Sequence, residues 1–291
     1  MLEKVTDQIY YYKNVDETDR PALGIVIGNE SSLIIDSGNS PKHAMEFKKA
    51  INTLDIPEVK YLVLTHHHWD HTFGINEWNV ATIASKKTYE LMKTYCDIEY
   101  NDESLLNAKN NHIFNASSVN AIKQEIENRD SFRPINCTMT FTGELNIDLG
   151  GITCCIREID SPHTDDATIV YVPEEKVIFL GDSAYGYTSK GYNYFHRERT
   201  EQMINSIEQY EADYYLCSHE SICTRSEILT YWNQLRMGSK ISNMSRNLDD
   251  AIIKFREVYN TKPTEEDLFF IKSYGEGEAW GRTGLLNRDV F

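Results

Sequence analysis

Short apolar runs, each closed by a polar or glycine-containing turn, fill the first third of the chain. QIYYYK, ALGIVIGN and SSLIIDSG predict three strands. SPKHAMEFKKAINTLD shifts to helical spacing, with Ser40 as N-cap and Pro41 at the first helical position. VKYLVLT is apolar almost throughout and predicts a short buried strand, and VATIASKKTYELMKTY predicts a strand followed by a helix. Residues 98–133 are polar and Asn-rich, and stretches such as SSVNAIKQEIENRDSF predict a helical excursion rather than a separate domain. CTMTFTG, LNIDLGG, TCCIREID, ATIVYVP and KVIFLGD return to strands, the last two joined by the tight turn PEEK. TEQMINSIEQY predicts a helix, DYYLCSH a strand ending on His219, and SEILTYWNQLRMGSKISNM and LDDAIIKFREVYN further helices. The outline is a layered α/β domain over residues 1–223, with a helical extension over 224–291 packing on it.

The polar residues at the ends of these strands change the picture from fold to chemistry. Asp36, the cluster at 66–71, His163, Asp182 and His219 all fall at C-terminal strand ends. In α/β sheets such ends gather along one edge, so residues distant in sequence can meet there. THHHWDHTFG places four imidazoles and a carboxylate directly behind a buried strand, a costly crowding unless something holds it. His66 and His68, two apart, project to one side in extended backbone and can chelate one ion. Asp70 and His71 follow the turn and can face a second ion. Imidazole with carboxylate suits zinc or another first-row divalent metal.

Composition narrows the partners. The chain has 291 residues and a formal charge of −16, and no Lys/Arg stripe of the kind that captures a phosphate backbone, which argues against nucleic acid. No apolar run approaches the roughly 18 residues of a membrane span, so no membrane partner is expected. The opening MLEKVTDQIYYYKNVDETDR carries acids where a signal peptide needs an apolar core, so a cytoplasmic location is expected. The six cysteines then read as free thiols, and adjacent Cys154 and Cys155 as pointing to opposite faces of a strand.

His66, His68, Asp70 and His71 form H-x-H-x-D-H, and the chain here resembles the metallo-β-lactamase superfamily. SPHTDD, FLGDS and CSHE place His163, Asp182 and His219 in that family's order, and LIIDSG matches the early strand whose Asp36 supports the site from behind. The resemblance covers about residues 5–222 and implies a four-layer αββα sandwich. Carried over position by position, it implies that His66, His68 and His163 hold one ion and that Asp70, His71 and His219 hold a second. Asp182 would bridge the two. The implied cofactors are two divalent metal ions, zinc first, with iron or manganese as alternatives. Such ions lower the pKa of a shared water, so that hydroxide exists near neutral pH. The residual positive charge would stabilise an oxyanion. The implied activity is hydrolysis of a small-molecule ester, lactone, amide or phosphoester, with Asp70 among the catalytic residues. An iron-dependent oxidoreductase on the same fold, of thiol dioxygenase or oxygen reductase type, is the alternative. His68 stands where the oxygen reductases carry Glu, and no flavodoxin-like domain follows.

The departures are informative. Pro162 precedes His163 and Asp165-Asp166 follow Thr164, where many members have Pro-Gly. Asp182 stands where the antibiotic-hydrolysing lactamases have a metal-binding Cys, which with the lack of an export signal argues against a periplasmic lactamase. Tyr185 resembles a tyrosine that assists the carbonyl in the acyl-homoserine lactonase branch, and is a second candidate catalytic residue. His67 is spare, with packing or support expected rather than ligation. Trp69 is expected to wall the pocket or join the core. The aromatic loop 184–196, with Tyr187, Tyr192, Tyr194 and His196, could line a pocket. SYGEGEAWGRTG near the end could form a lid or a dimer contact, and no motif fixes substrate identity or oligomeric state.

Overall fold

The computed structural model describes residues 1–189, 192–275 and 280. Strands β1 (Leu2–Lys4), β2 (Ile9–Tyr12), β3 (Leu23–Ile27), β4 (Ser32–Ile35), β5 (Val59–Val63), β6 (Ala81–Ser85) and β7 (Met139–Phe141) form one sheet in that order. It is antiparallel up to β4 and parallel beyond. The second sheet holds β8 (Glu144–Asp148), β9 (Thr153–Glu158), β10 (Thr168–Val172) and β11 (Val177–Gly181). A separate hairpin, β12 (Tyr187–Ser189) with β13 (Tyr192–Tyr194), precedes β14 (Tyr214–Cys217) and β15 (Cys223–Thr224), which complete that sheet in the order β15-β14-β11-β10-β9-β8.

Alternation along each strand builds the layers. Leu33 and Ile35 of β4 enter the core between the sheets, and Ile34 enters the core beneath the helices. Val177 and Phe179 of β11 likewise join the central core, whereas Ile178 and Leu180 face the opposite helical layer. A strand covered on both faces must read as a continuous apolar run, as these do. Gly24 marks a close approach of the sheets, since a Cβ there would lie 2.3 Å from the Phe179 ring. One outer layer contains α1 (Pro41–Ile51) and passes through the short α2 (Trp69–Thr72) to α3 (Lys86–Cys96). The helices α4 (Asp102–Asn110) and α5 (Ala116–Glu125) form the excursion, and α6 (Arg197–Ile207), α7 (Arg225–Asn243), α8 (Leu248–Tyr259) and α9 (Glu265–Ser273) lie on the other side. Side chains of α6, α7 and α9 share one apolar cluster with β11 and β14. The architecture is an αββα sandwich with further helices at its C-terminal end.

Local signals act as expected at α1, where Ser40 Oγ accepts the His43 N–H and Pro41 occupies the first turn. The expected helix over SSVNAIKQEIENRDSF is shorter, ending at Glu125. There the chain turns extended to bury Ile126 in the excursion's own core. β1, β15, the β12–β13 hairpin and α9 carry no strong periodic signal and emerge only in the structure. Cys154 is buried and Cys155 half-buried, as alternation requires, and all six cysteines are free. No helix among the described residues is long and apolar enough to cross a membrane.

The excursion is fastened to the sandwich by a buried ion pair. Arg20 Nε and one terminal nitrogen donate to the two oxygens of Glu125 at 2.9 and 2.8 Å, and its other terminal nitrogen donates to Glu46 at 2.7 Å. Ser40 Oγ–H adds a bond to Glu125 at 3.1 Å, so the carboxylate binds both the Arg20 loop and the start of α1. Removing one partner of a buried pair leaves an uncompensated charge. Arg20→Met is therefore expected to cost about 3–5 kcal/mol in urea unfolding, most of it recovered when Glu125→Met is added.

Candidate metal centre

Each functional side chain is delivered by the end of a strand. β5 stops at Val63, and the chain turns through His66–His68 into α2, which carries Asp70 and His71. The register of β11 against β14 shifts between Phe179 and Gly181, and this bulge, with Gly181 at φ +56°, aims Asp182 into the cleft. A Cβ on Gly181 would lie 2.6 Å from Thr65 Oγ1, so only glycine lets the two strand ends approach. His163 follows β9, and His219 follows β14.

The structure brings all seven expected ligands together, in two groups that share Asp182. His66, His68, His163 and Asp182 form one, and Asp70, His71, Asp182 and His219 the other, with the donor atoms of each within 4.8 Å of one another. In the first, His66 Nε2 lies 2.9 Å from His68 Nδ1, which lies 3.1 Å from His163 Nε2. In the second, His219 Nε2 lies 3.1 Å from Asp70 Oδ2, and His71 Nε2 lies 3.3 Å from the same oxygen. Asp182 Oδ2 stands 3.5 Å from His163 Nε2 and 3.4 Å from His219 Nε2, reaching both groups.

Hydrogen bonds behind the imidazoles determine which nitrogen faces inward. Asp36, at φ +61° after β4, takes Thr65 N–H and Oγ1–H, each at 2.8 Å, and His71 Nδ1–H at 2.8 Å. With its own proton spent on Asp36, Thr65 Oγ1 accepts His66 Nδ1–H at 3.1 Å. His163 Nδ1–H donates to the Gly186 carbonyl at 3.1 Å. The Nε2 atoms of His66, His71 and His163 therefore point at the centre. A carboxylate or carbonyl behind a ligating imidazole is the usual way such a ring is oriented.

The residues present fit divalent cations. His71 Nε2 and Asp182 Oδ1 are buried without hydrogen-bond partners, although they lie 3.5 Å apart. Buried polar atoms are ordinarily paired, so two orphans facing one point mark a place for an ion. Burial, with the neighbouring imidazoles, holds His66 neutral well below its ordinary pKa, and His68 is pushed down to about 3 by burial and His163. Burial also disfavours charge on His71, but Asp70, Asp182 and Asp36 outweigh it and raise its pKa well above the usual value. Nitrogen and carboxylate oxygen donors together suit zinc and its first-row neighbours.

This centre forms the floor of a cavity of about 840 Å³. The excursion, the 184–196 loop and α9 all contribute walls, through Phe114, Gln124, Tyr187, Asn193, Phe269 and Phe270. Trp69 is both wall and core, 4% exposed and packed among the excursion's aromatics. Tyr185 lines the cavity, and its hydroxyl oxygen accepts the His219 N–H at 3.2 Å. Tyr192, Tyr194 and His196 are not among the described lining residues. His196 instead caps α6. Trp280 is buried in the core beside α9, and the rest of GEGEAWGRTG beyond Gly275 lies outside the described residues. Asp166, which sequence reasoning passed over, is 1% exposed and bonded to His67. Only its position within the departing SPHTDD segment could have drawn notice.

Comparison with known proteins agrees with this geometry. The sequence model described as the metallo-beta-lactamase superfamily matches residues 18–91, the stretch that includes Asp36 and the histidine run. The fold is similar to that of a metallo-beta-lactamase from Pontibacter korlensis, at 20% identity and a TM-score of 0.55 over 80% of this chain and 98% of that one. DIM-1 metallo-beta-lactamase gives 19% identity and a TM-score of 0.56 over 80% and 95%. The sec-alkyl sulfatase PisA1 gives 14% identity and a TM-score of 0.61 over 91% of this chain but 46% of that one. A search of curated proteins finds no match to the sequence. The chain has the fold of the metallo-β-lactamase superfamily, and its H-x-H-x-D-H run lies in the part that the superfamily model matches.

The raised pKa of His71 has a consequence for loading. Metal-free protein keeps a proton on His71 that a cation must displace, so affinity falls as pH drops. Zinc uptake is expected to release protons into weakly buffered solution, and affinity to rise up to about tenfold per pH unit for each proton displaced. Uptake with no proton release would contradict this picture.

Proposed function

We propose that the protein is a metal-dependent hydrolase that holds two divalent cations, zinc first, and acts on a small molecule. The observation that carries this reading is the pair of donor groups sharing Asp182, with orphaned His71 Nε2 and Asp182 Oδ1, at the floor of a large cavity. His66, His68 and His163 would hold one cation, Asp70, His71 and His219 the other, with Asp182 between them. Cations bound there would supply Lewis acidity and a water of lowered pKa.

The remaining work belongs to the chain's own groups. Burial opposes charge on Asp70, but His71 and His219 hold its carboxyl well below the ordinary range, so Oδ2 stays ionised and would hold a cation and accept a hydrogen bond from water beside it. Tyr185 contributes through His219, whose amide it accepts, and its ring closes one side of the centre. The aromatic walls exclude water from the scissile bond.

Asp16, Glu17, Asp19 and Glu220 lie on the cavity wall, and no Lys or Arg is among its described lining residues. The substrate proposed is a small-molecule ester, lactone, amide or phosphoester. Six free cysteines are in keeping with the reducing cytoplasm, and the charge of −16 with the absence of nucleic acid as a partner.

Elemental analysis is the first test: about two zinc per chain would support the reading, and redox-active iron would move it to oxygen or thiol chemistry. Asp70→Asn and His163→Ala are expected to lose metal and abolish turnover while the fold persists by circular dichroism, and full activity in either would sink the assignment. Tyr185→Phe is expected to lower kcat by less than about tenfold, whereas direct proton donation to the carbonyl would cost about 10²–10⁴.

A further inference from the structure

His67 is the middle residue of the histidine run and belongs to neither donor group. Its backbone N–H donates to Asp166 Oδ2 at 2.8 Å, and its ring Nδ1 meets Asp166 Oδ1 at 3.0 Å. Thr164 Oγ1–H donates to that same Oδ1 at 2.6 Å, so the carboxylate, 1% exposed, is bonded on both oxygens. Burial alone would raise the Asp166 carboxyl, but its bonds with His67 and Thr164 hold it well below its usual range, so it is an anion inside the fold. It stands three residues past His163, and His67 stands between His66 and His68. One buried carboxylate thus spans the two loops that deliver every imidazole of the first group.

The other side of His67 faces the cavity wall. Its ring stacks on Tyr95 with centroids 6.0 Å apart at 15°, and Tyr95 stacks on Phe114 at 5.4 Å and 13°. Tyr95 and Phe114 both line the cavity.

From these contacts we infer that His67 and Asp166 form a clamp that sets the spacing of the first donor group and joins it to the excursion's wall. A cation would need lone pairs from all three inward nitrogens, with His68 Nδ1 2.9 and 3.1 Å from the other two, and lone pairs turned inward at that spacing repel one another. Something fixed behind them must hold the loops at that distance, and the Asp166 bonds do so. The second group is held differently, His71 by Asp36 and His219 by Tyr185, so the clamp acts on one site. The two are positioning residues, and the inference rests on the metal reading given above.

The experiment titrates metal-free protein with cobalt(II), following the absorption bands that report ligand geometry, with a competing chelator to obtain both affinities. Wild type is expected to take two cobalt ions. Asp166→Ala should weaken one of them by about 10–100-fold, with altered bands, and leave the other unchanged. Asp166→Asn should recover most of the loss, because its amide can accept the His67 N–H and donate to Nδ1 in the other tautomer. His67→Phe retains the stack on Tyr95 and the backbone bond, so it should weaken the same ion by less and leave KM near wild type. Asp166→Ala that binds both ions with wild-type affinity and spectrum would overturn the clamp alone. Equal weakening of both ions would overturn it too, since that is general loosening. If Asp166→Ala does not fold, the same comparison in His67→Phe decides between a one-site loss and an equal one. Wild type that takes up no cobalt would instead overturn the metal reading and the clamp with it.

Discussion

Asp36 takes two hydrogen bonds from Thr65 and one from His71, and through the Thr65 hydroxyl it also sets the tautomer of His66. It is 1% exposed and lies in left-handed backbone directly after β4. One carboxylate therefore orients an imidazole in each donor group. Donor side chains that come from separate strand ends would take other rotamers if nothing oriented them. They stay together because bonds on their far side hold them, and Asp36 is where those bonds converge. The bulge at the end of β11 and the glycine contact with Thr65 bring Asp182 into the same small volume.

The sandwich supplies the rigidity that this requires. The central strands of both sheets are covered on each face, and their ends emerge from packed cores rather than from loops alone. Asp182 and His219 sit within two residues of a strand end, and the other ligands lie on the short segments that follow β5 and β9. The cavity walls come from elsewhere: from the excursion, from the β12–β13 hairpin and from the C-terminal helices. Chemistry and substrate contact are thus assigned to different parts of the chain.

That division explains what the sequence made legible. β4, β5, β10 and β11 are short, apolar and bounded by turn residues, so their ends could be located and their polar termini read as one site. Ser40-Pro41 announced α1 for the same local reason. The walls were harder. The hairpin in the 184–196 loop pairs tyrosines of no clear periodicity, and α5 stops early because Ile126 is needed in a core no local pattern reveals. Asp166 was missed because its partner lies 99 residues away, and the second Asp of the Asp165-Asp166 pair carries no local signal of that contact. Tyr185 was noticed for its distance from Asp182, but its hydroxyl bond to the His219 amide depends on how β14 ends.

The excursion's aromatic core includes Trp69 and Phe73, the residues flanking Asp70, His71 and Thr72 on the ligand-bearing helix. Its packing therefore covers the donor cluster from the outside while its inner face lines the cavity. Such an insert cannot be exchanged as an independent module. Grafting in a different excursion to change substrate scope would strip the apolar cover from the helix that carries Asp70 and His71, so selectivity and centre would have to be redesigned, or to evolve, together.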